Sequence, residues 1–169
     1  MLSAVAAAEQ PQLPAAIAVP DQTPIVTFHA EGAQIYECKE KDGKLAWSFR
    51  EPIAALMADG RTVGRHYAGP TWENADGSAV VGKGAGSAPG TTADDVAWLK
   101  LDVVDRRGSG ILTATATVQR INTRGGALSG PCSERGALRA VPYSADYVFL
   151  RAGDRPLPPG GVPRPPNKF

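Results

Sequence analysis

The sequence predicts an all-β domain, an antiparallel β-sandwich or flattened barrel of about seven to nine short strands with at most one short helix. Three observations carry this expectation. Apolar and polar residues alternate with period two over many short runs. Asp-Gly pairs recur between those runs, as tight hairpins require. No stretch has the length or period of the crossover helices that a parallel sheet needs.

Taken in order, residues 25–28 form a first strand, and residues 33–41 are rich in strand formers. Asp42-Gly43 then separates them from residues 44–50, where Leu45, Trp47 and Phe49 share a face that reads as core. Residues 52–58 fit two patterns. Ile53, Leu56 and Met57 have helical spacing after Pro52, whereas Ile53, Ala55 and Met57 alternate as a strand, so a short helix is the most this segment supports.

Asp59-Gly60 precedes a strand over 62–68, and Asp76-Gly77 lies between Thr71-Trp72-Glu73 and a strand over 78–82. The run from Gly82 to Gly90 superficially suggests a phosphate-cradling loop. Its Lys83 lacks a following Ser or Thr and no helix follows, so it reads as a flexible surface loop. Asp94-Asp95 leads into residues 96–104, with Ala97, Leu99, Leu101 and Val103 on one face. Gly108 and Gly110 bracket the next turn. The run 111–121 sets Leu112, Ala114, Ala116 and Val118 against Thr113, Thr115 and Thr117, a half-buried strand. The last run, 141–150, brings Tyr143, Ala145, Tyr147 and Phe149 together.

Proline marks both ends. The segment 9–24 carries Pro11, Pro14, Pro20 and Pro24, and residues 156–169 are dominated by proline and glycine. Missing backbone donors and a fixed φ keep such segments out of central strands. The expected organisation is therefore a residual signal and proline-rich leader over 1–23, a single β domain over 24–151, and a flexible tail over 152–169. The start, Met1 to Glu9, has the small residues Ala6 and Ala8 of a signal-cleavage pattern, which points to a secreted or periplasmic protein.

Eighteen basic and seventeen acidic residues are scattered, for a net charge of +1. That leaves no basic stripe for nucleic acid, and no apolar run reaches the length of a membrane span. Cys38 and Cys132 are too few for a metal site and too far apart for a Cys-x-x-Cys redox pair. In an oxidising compartment they pair with each other.

Several segments occur in order that resemble a known family. They are Gly32-Ala33-Gln34-Ile35-Tyr36-Glu37-Cys38, the run from Val63 through His66-Tyr67-Ala68-Gly69-Pro70-Thr71-Trp72-Glu73, and Asp76-Gly77-Ser78. Val96-Ala97-Trp98-Leu99, Gln119-Arg120-Ile121-Asn122-Thr123, Gly125-Gly126 with Cys132, and Tyr143-Ser144-Ala145-Asp146-Tyr147 follow. The resemblance is to exported bacterial and fungal proteins catalogued as domain of unknown function three-four-five-five, and it covers residues 32–149. It implies export. It implies no established activity and transfers no catalytic residues.

The segment from His66 to Glu73 is the leading candidate site, because it sets a titratable His, two aromatics and a carboxylate around a Gly-Pro turn. His66, Tyr67, Trp72 and Glu73 are the candidate ligand-binding residues, with Trp72 the aromatic expected to be most exposed. The expected function is non-enzymatic binding of a small molecule, glycan or cell-envelope partner, without metal or cofactor. The alternative is a hydrolase-type enzyme in which His66 acts as acid or base and Glu73 or Asp146 orients it. The plain reading of His66 is a structural residue bonded to a backbone carbonyl. Should Asp146 be buried, Arg120 or Arg65 would be its cation.

Overall fold

A computed structural model describes residues 12–153; the cleavage-like start and the tail from residue 154 lie outside the described residues. Eight strands follow one another: β1 (Gln22–Lys41), β2 (Lys44–Ala58), β3 (Arg61–Tyr67), β4 (Thr71–Asn74), β5 (Ala79–Ala88), β6 (Trp98–Arg107), β7 (Thr115–Gly125) and β8 (Leu138–Ala152). Every neighbouring pair is antiparallel, and β8 returns to pair with β1, so the sheet closes as an up-and-down barrel. Closure removes both edges, which otherwise expose unpaired backbone groups.

The first two hairpin turns form where two successive residues can take positive φ. Asp42 and Gly43 have φ of 52° and 77°, and Asp59 and Gly60 have 50° and 73°. Residues 25–28 and 33–41 merge into the single strand β1. Its ladder with β8 begins at Gln22, earlier than the prolines suggested, and the register shifts between Pro24 and Val26. Residues 52–58 are strand, not helix: their positions pair with β1 on one side and β3 on the other. The glycine-rich run belongs to β5 and is not a loop. Gly82 leaves room for the Trp72 ring, and a Cβ at Gly86 would stand 2.1 Å from the Ala16 carbonyl oxygen. The 111–121 run enters β7 only at Thr115, and a register shift between Thr115 and Thr117 breaks the simple Leu/Thr alternation.

Phe28 and Ala30 from β1, Leu56 from β2, Val80 from β5, Val118 from β7 and Phe149 from β8 fill the lower half of the barrel. Burying each of the larger of these side chains stabilises the fold by roughly 1.5–3 kcal/mol before the entropy of ordering is subtracted. Leu112, fully buried on the β6–β7 connection, plugs this end. Asp76 holds that connection in place: it accepts hydrogen bonds from the Ile111 amide (2.7 Å), the Ser78 amide (2.9 Å) and the Ser78 hydroxyl (2.6 Å). These donors keep its carboxyl well below the usual carboxylate range, with the Ser78 hydroxyl contributing most.

At the opposite end the β1–β2 hairpin extends beyond the ring. The connection between β7 and β8 wraps it: the Trp47 amide donates to the Gly130 carbonyl and the Cys132 amide to that of Leu45. Cys38 and Cys132 stand at disulfide distance there, with Cα atoms 5.9 Å apart. Among the described residues no helix is long and apolar enough to cross a membrane.

Candidate functional site

Alternation along β3 and β4 divides the 66–73 segment between the two faces of the barrel wall. His66 (3% exposed) and Trp72 (1%) point inward, and they are neighbours because His66 pairs with Trp72 across the β3–β4 ladder. Tyr67 and Glu73 belong to the outer face. There Glu73 accepts hydrogen bonds from the Tyr67 hydroxyl (2.6 Å), Arg107 Nη2 (2.6 Å) and Arg65 Nη2 (3.3 Å). The Arg65 guanidinium also lies over the Tyr67 ring, 4.8 Å from its centroid. The Tyr67 hydroxyl and the two cations hold the Glu73 carboxyl below the ordinary carboxylate range.

The four candidate binding residues are therefore two pairs on opposite faces. Trp72 is among the most buried side chains of the protein, not an exposed platform. Neither carboxylate proposed to orient His66 contacts it. Asp146 faces outward, bonded to His29 Nδ1 (2.8 Å) and to Asn122 Nδ2 (2.9 Å), and so meets neither Arg120 nor Arg65. The partner of His66 is backbone: Nδ1 lies 2.8 Å from the Thr71 carbonyl oxygen. A carbonyl only accepts, so Nδ1 carries the proton and Nε2 is the ring's acceptor. Burial pushes the imidazole down to about 3, against the opposing pull of that carbonyl, and the Arg120 charge lowers it further. His66 is neutral at physiological pH.

His66 stacks on Trp72 with ring centroids 4.6 Å apart and planes 11° from parallel. Tyr147 meets the Trp72 ring edge-on at 5.4 Å and His66 at 4.9 Å. This aromatic group borders a cavity of about 300 Å³ in the upper half of the barrel. Pro52, Pro70, Leu99, Leu101 and the half-exposed Phe49 supply its apolar wall. Gln34, Arg50 and Arg120 supply polar groups. Gly69 and Pro70, joined by a cis peptide, form part of its rim at the β3–β4 turn.

Trp72 Nε1 is fully buried and makes no hydrogen bond within the described protein, and Gln34 Nε2, equally buried, has only the Tyr143 hydroxyl near it, beyond ordinary hydrogen-bond distance. Both are donors. Buried donors are almost always satisfied, each costing about 1–3 kcal/mol when left unpaired. Arg120, half-buried, donates from Nε (2.9 Å) and Nη2 (2.8 Å) to the Ala97 carbonyl. Along β8 the Tyr143 and Tyr147 hydroxyls lie 3.1 Å apart, and burial raises both phenols above their ordinary range.

Of the residues singled out in the sequence, His66, Trp72 and Tyr147, the last named there only among aromatics that could line a pocket, border this cavity; Gln34 and Arg120 were not singled out as their companions. The available signal was parity. Gln34 and Arg120 occupy inward positions of strands that are otherwise apolar at those positions, which sets a polar residue where core is expected.

A protein-family model described as "Protein of unknown function (DUF3455)" matches residues 19–151, and the chain belongs to that family. No curated protein and no solved structure matches the chain.

Proposed function

We propose that this family member binds a compact small molecule inside the upper half of its barrel, without turning it over. The observation that carries this reading is the cavity of about 300 Å³ lined by His66, Trp72, Gln34 and Arg120, with the buried Trp72 Nε1 left without a hydrogen-bond partner. Binding pockets have this character, with an apolar wall and a few convergent polar groups, and span about 300–1,000 Å³. Of the three partner classes the sequence suggested, the interior favours the small molecule. A glycan would have to insert a single terminal unit. The wrapped hairpin with its cysteine pair supports a secreted or periplasmic setting, where a disulfide persists. The hydrolase reading gains no support from the site, because His66 is neutral, bonded to backbone and separated from both candidate carboxylates by the barrel wall.

The test is a thermal-unfolding screen of the full chain against a panel of small metabolites, with tryptophan fluorescence as a second signal. A ligand at about a hundred times its Kd stabilises by about 2.7 kcal/mol and raises Tm by several degrees. The Leu99→Trp variant, which places an indole in the same space, is expected to lose that shift. A panel that moves neither Tm nor fluorescence, or a shift untouched by Leu99→Trp, overturns the proposal.

A further inference from the structure

The cavity's own chemistry narrows what fits it, and the argument that follows rests on the interior-binding reading above. Charge is the first discriminator. Of the twelve residues lining the cavity two are arginines, Arg50 and Arg120, and none is Asp or Glu. His66 adds no charge near neutral pH, since burial keeps its imidazole unprotonated.

The two arginines differ. Arg50 sits at the rim, 3.8 Å from Glu37 and 3.7 Å from Glu51. Arg120 lies on the inward face of β7, opposite Tyr147 and Leu99 in the neighbouring strands. Among the described residues no carboxylate comes within ion-pair distance of it. Its bonds to the Ala97 carbonyl use two of its five N–H groups, and its other side-chain neighbour, the Tyr147 hydroxyl, is neutral, so its charge has no counter-ion. A guanidinium drawn into a barrel interior ordinarily has an anionic partner, because desolvating the charge alone is costly.

Hydrogen-bond polarity points the same way. The remaining Arg120 N–H groups and the Gln34 amide have only neutral phenol hydroxyls beside them and Trp72 Nε1 has no partner, so donors predominate, while the ring acceptor offered by the wall is His66 Nε2. An oxygen-rich anionic head satisfies such a set, and a carboxylate matches the planar fork of arginine.

The rest of the cavity specifies the body of the ligand. A cavity of about 150 Å³ holds one benzene ring, so about 300 Å³ accommodates a fused bicycle or a ring with a short side chain. The parallel His66–Trp72 stack and the edge of Tyr147 present flat aromatic faces to it.

We propose that the barrel's ligand is a compact aromatic carboxylate, its carboxylate paired with Arg120 and its ring packed against the His66–Trp72 wall.

Isothermal titration calorimetry of the full chain with 2-naphthoate, 2-naphthamide and 2-naphthylmethylammonium tests this. The three probes share one ring system and differ in charge. The acid is expected to bind about tenfold or more tighter than the amide, and the cation weaker than both. In Arg120→Gln the acid should fall to within about twofold of the amide, with Arg120→Lys intermediate and Arg61→Gln, which removes an exposed cation at the far end of β3, close to the parent. The comparison in the unaltered protein stands even if Arg120→Gln fails to fold. An amide or a cation that binds as tightly as the acid overturns the assignment of the ligand class and leaves interior binding intact. If none of the three binds and the metabolite panel is also silent, both inferences fall together.

Discussion

Lowering the pH from 7 to 5 should destabilise the barrel through His66. In the folded state this imidazole is neutral down to about pH 3, whereas in the unfolded chain it titrates near the ordinary value of about 6.5. A base whose folded pKa is depressed contributes stability that is complete above the unfolded pKa. That stability is lost as pH falls from about 6.5 toward 3. At pH 5 the unfolded chain holds almost one more proton at this site than the folded chain, and integration from pH 7 gives a loss of about 2 kcal/mol. The figure is insensitive to the folded value, because any folded pKa well below 5 gives the same result. With a urea slope of about 2 kcal/mol per molar the midpoint should drop by about 1 M. The control is His66→Gln, which keeps an N–H for the Thr71 carbonyl but cannot titrate. Urea unfolding of both proteins at pH 5, 6, 7 and 8 separates the His66 contribution from the ionisations they share. The difference in midpoint between the two proteins should change by about 1 M across this range. Parallel pH profiles for the two proteins would refute the reasoning, since they would mean that His66 can protonate within the fold.

Two further outcomes follow from the packing. Gly82→Val sets a Cβ 2.9 Å from Trp72 Cζ3 and 3.1 Å from Leu101 Cβ, and should cost about 1–3 kcal/mol in denaturant unfolding. It should also change the near-ultraviolet circular dichroism of the displaced Trp72. The double variant Cys38→Ser/Cys132→Ser should lose about 4–5 kcal/mol in the chain-entropy model, given a sequence separation of 94; unfolding under oxidising and reducing conditions checks whether the parent, but not the variant, responds to reductant.

The parts of this fold that were legible in the sequence are those decided within a few residues. Asp42-Gly43 and Asp59-Gly60 announce their turns because both backbone positions need positive φ. Tyr143, Ala145, Tyr147 and Phe149 announce the inner face of β8 because four positions at period two leave one choice. The candidate site was half legible for the opposite reason. β4 has four residues, too few to show a face, so Trp72 beside a turn read as exposed. Leu45, Trp47 and Phe49 alternate without being core, since their hairpin projects past the ring and Phe49 is 53% exposed. The β5 glycines were misread because the atoms that demand them, the Trp72 ring and the Ala16 carbonyl, come from elsewhere in the chain. Arg120 was legible as a residue but not as a charge inside the barrel, since only closure of β8 onto β1 defines an inside.

The Leu112 plug has a kinetic meaning. Among the described residues the cavity lies above a core that Leu112 closes from below, so a guest would leave by the aperture through which it came. A change that only narrows this aperture then slows arrival and departure by the same factor and leaves the equilibrium where it was. Residues that hold the guest act chiefly on departure. On and off rates measured across variants would therefore divide the cavity into gate and grip, with Trp72 and Arg120 on the side of the grip.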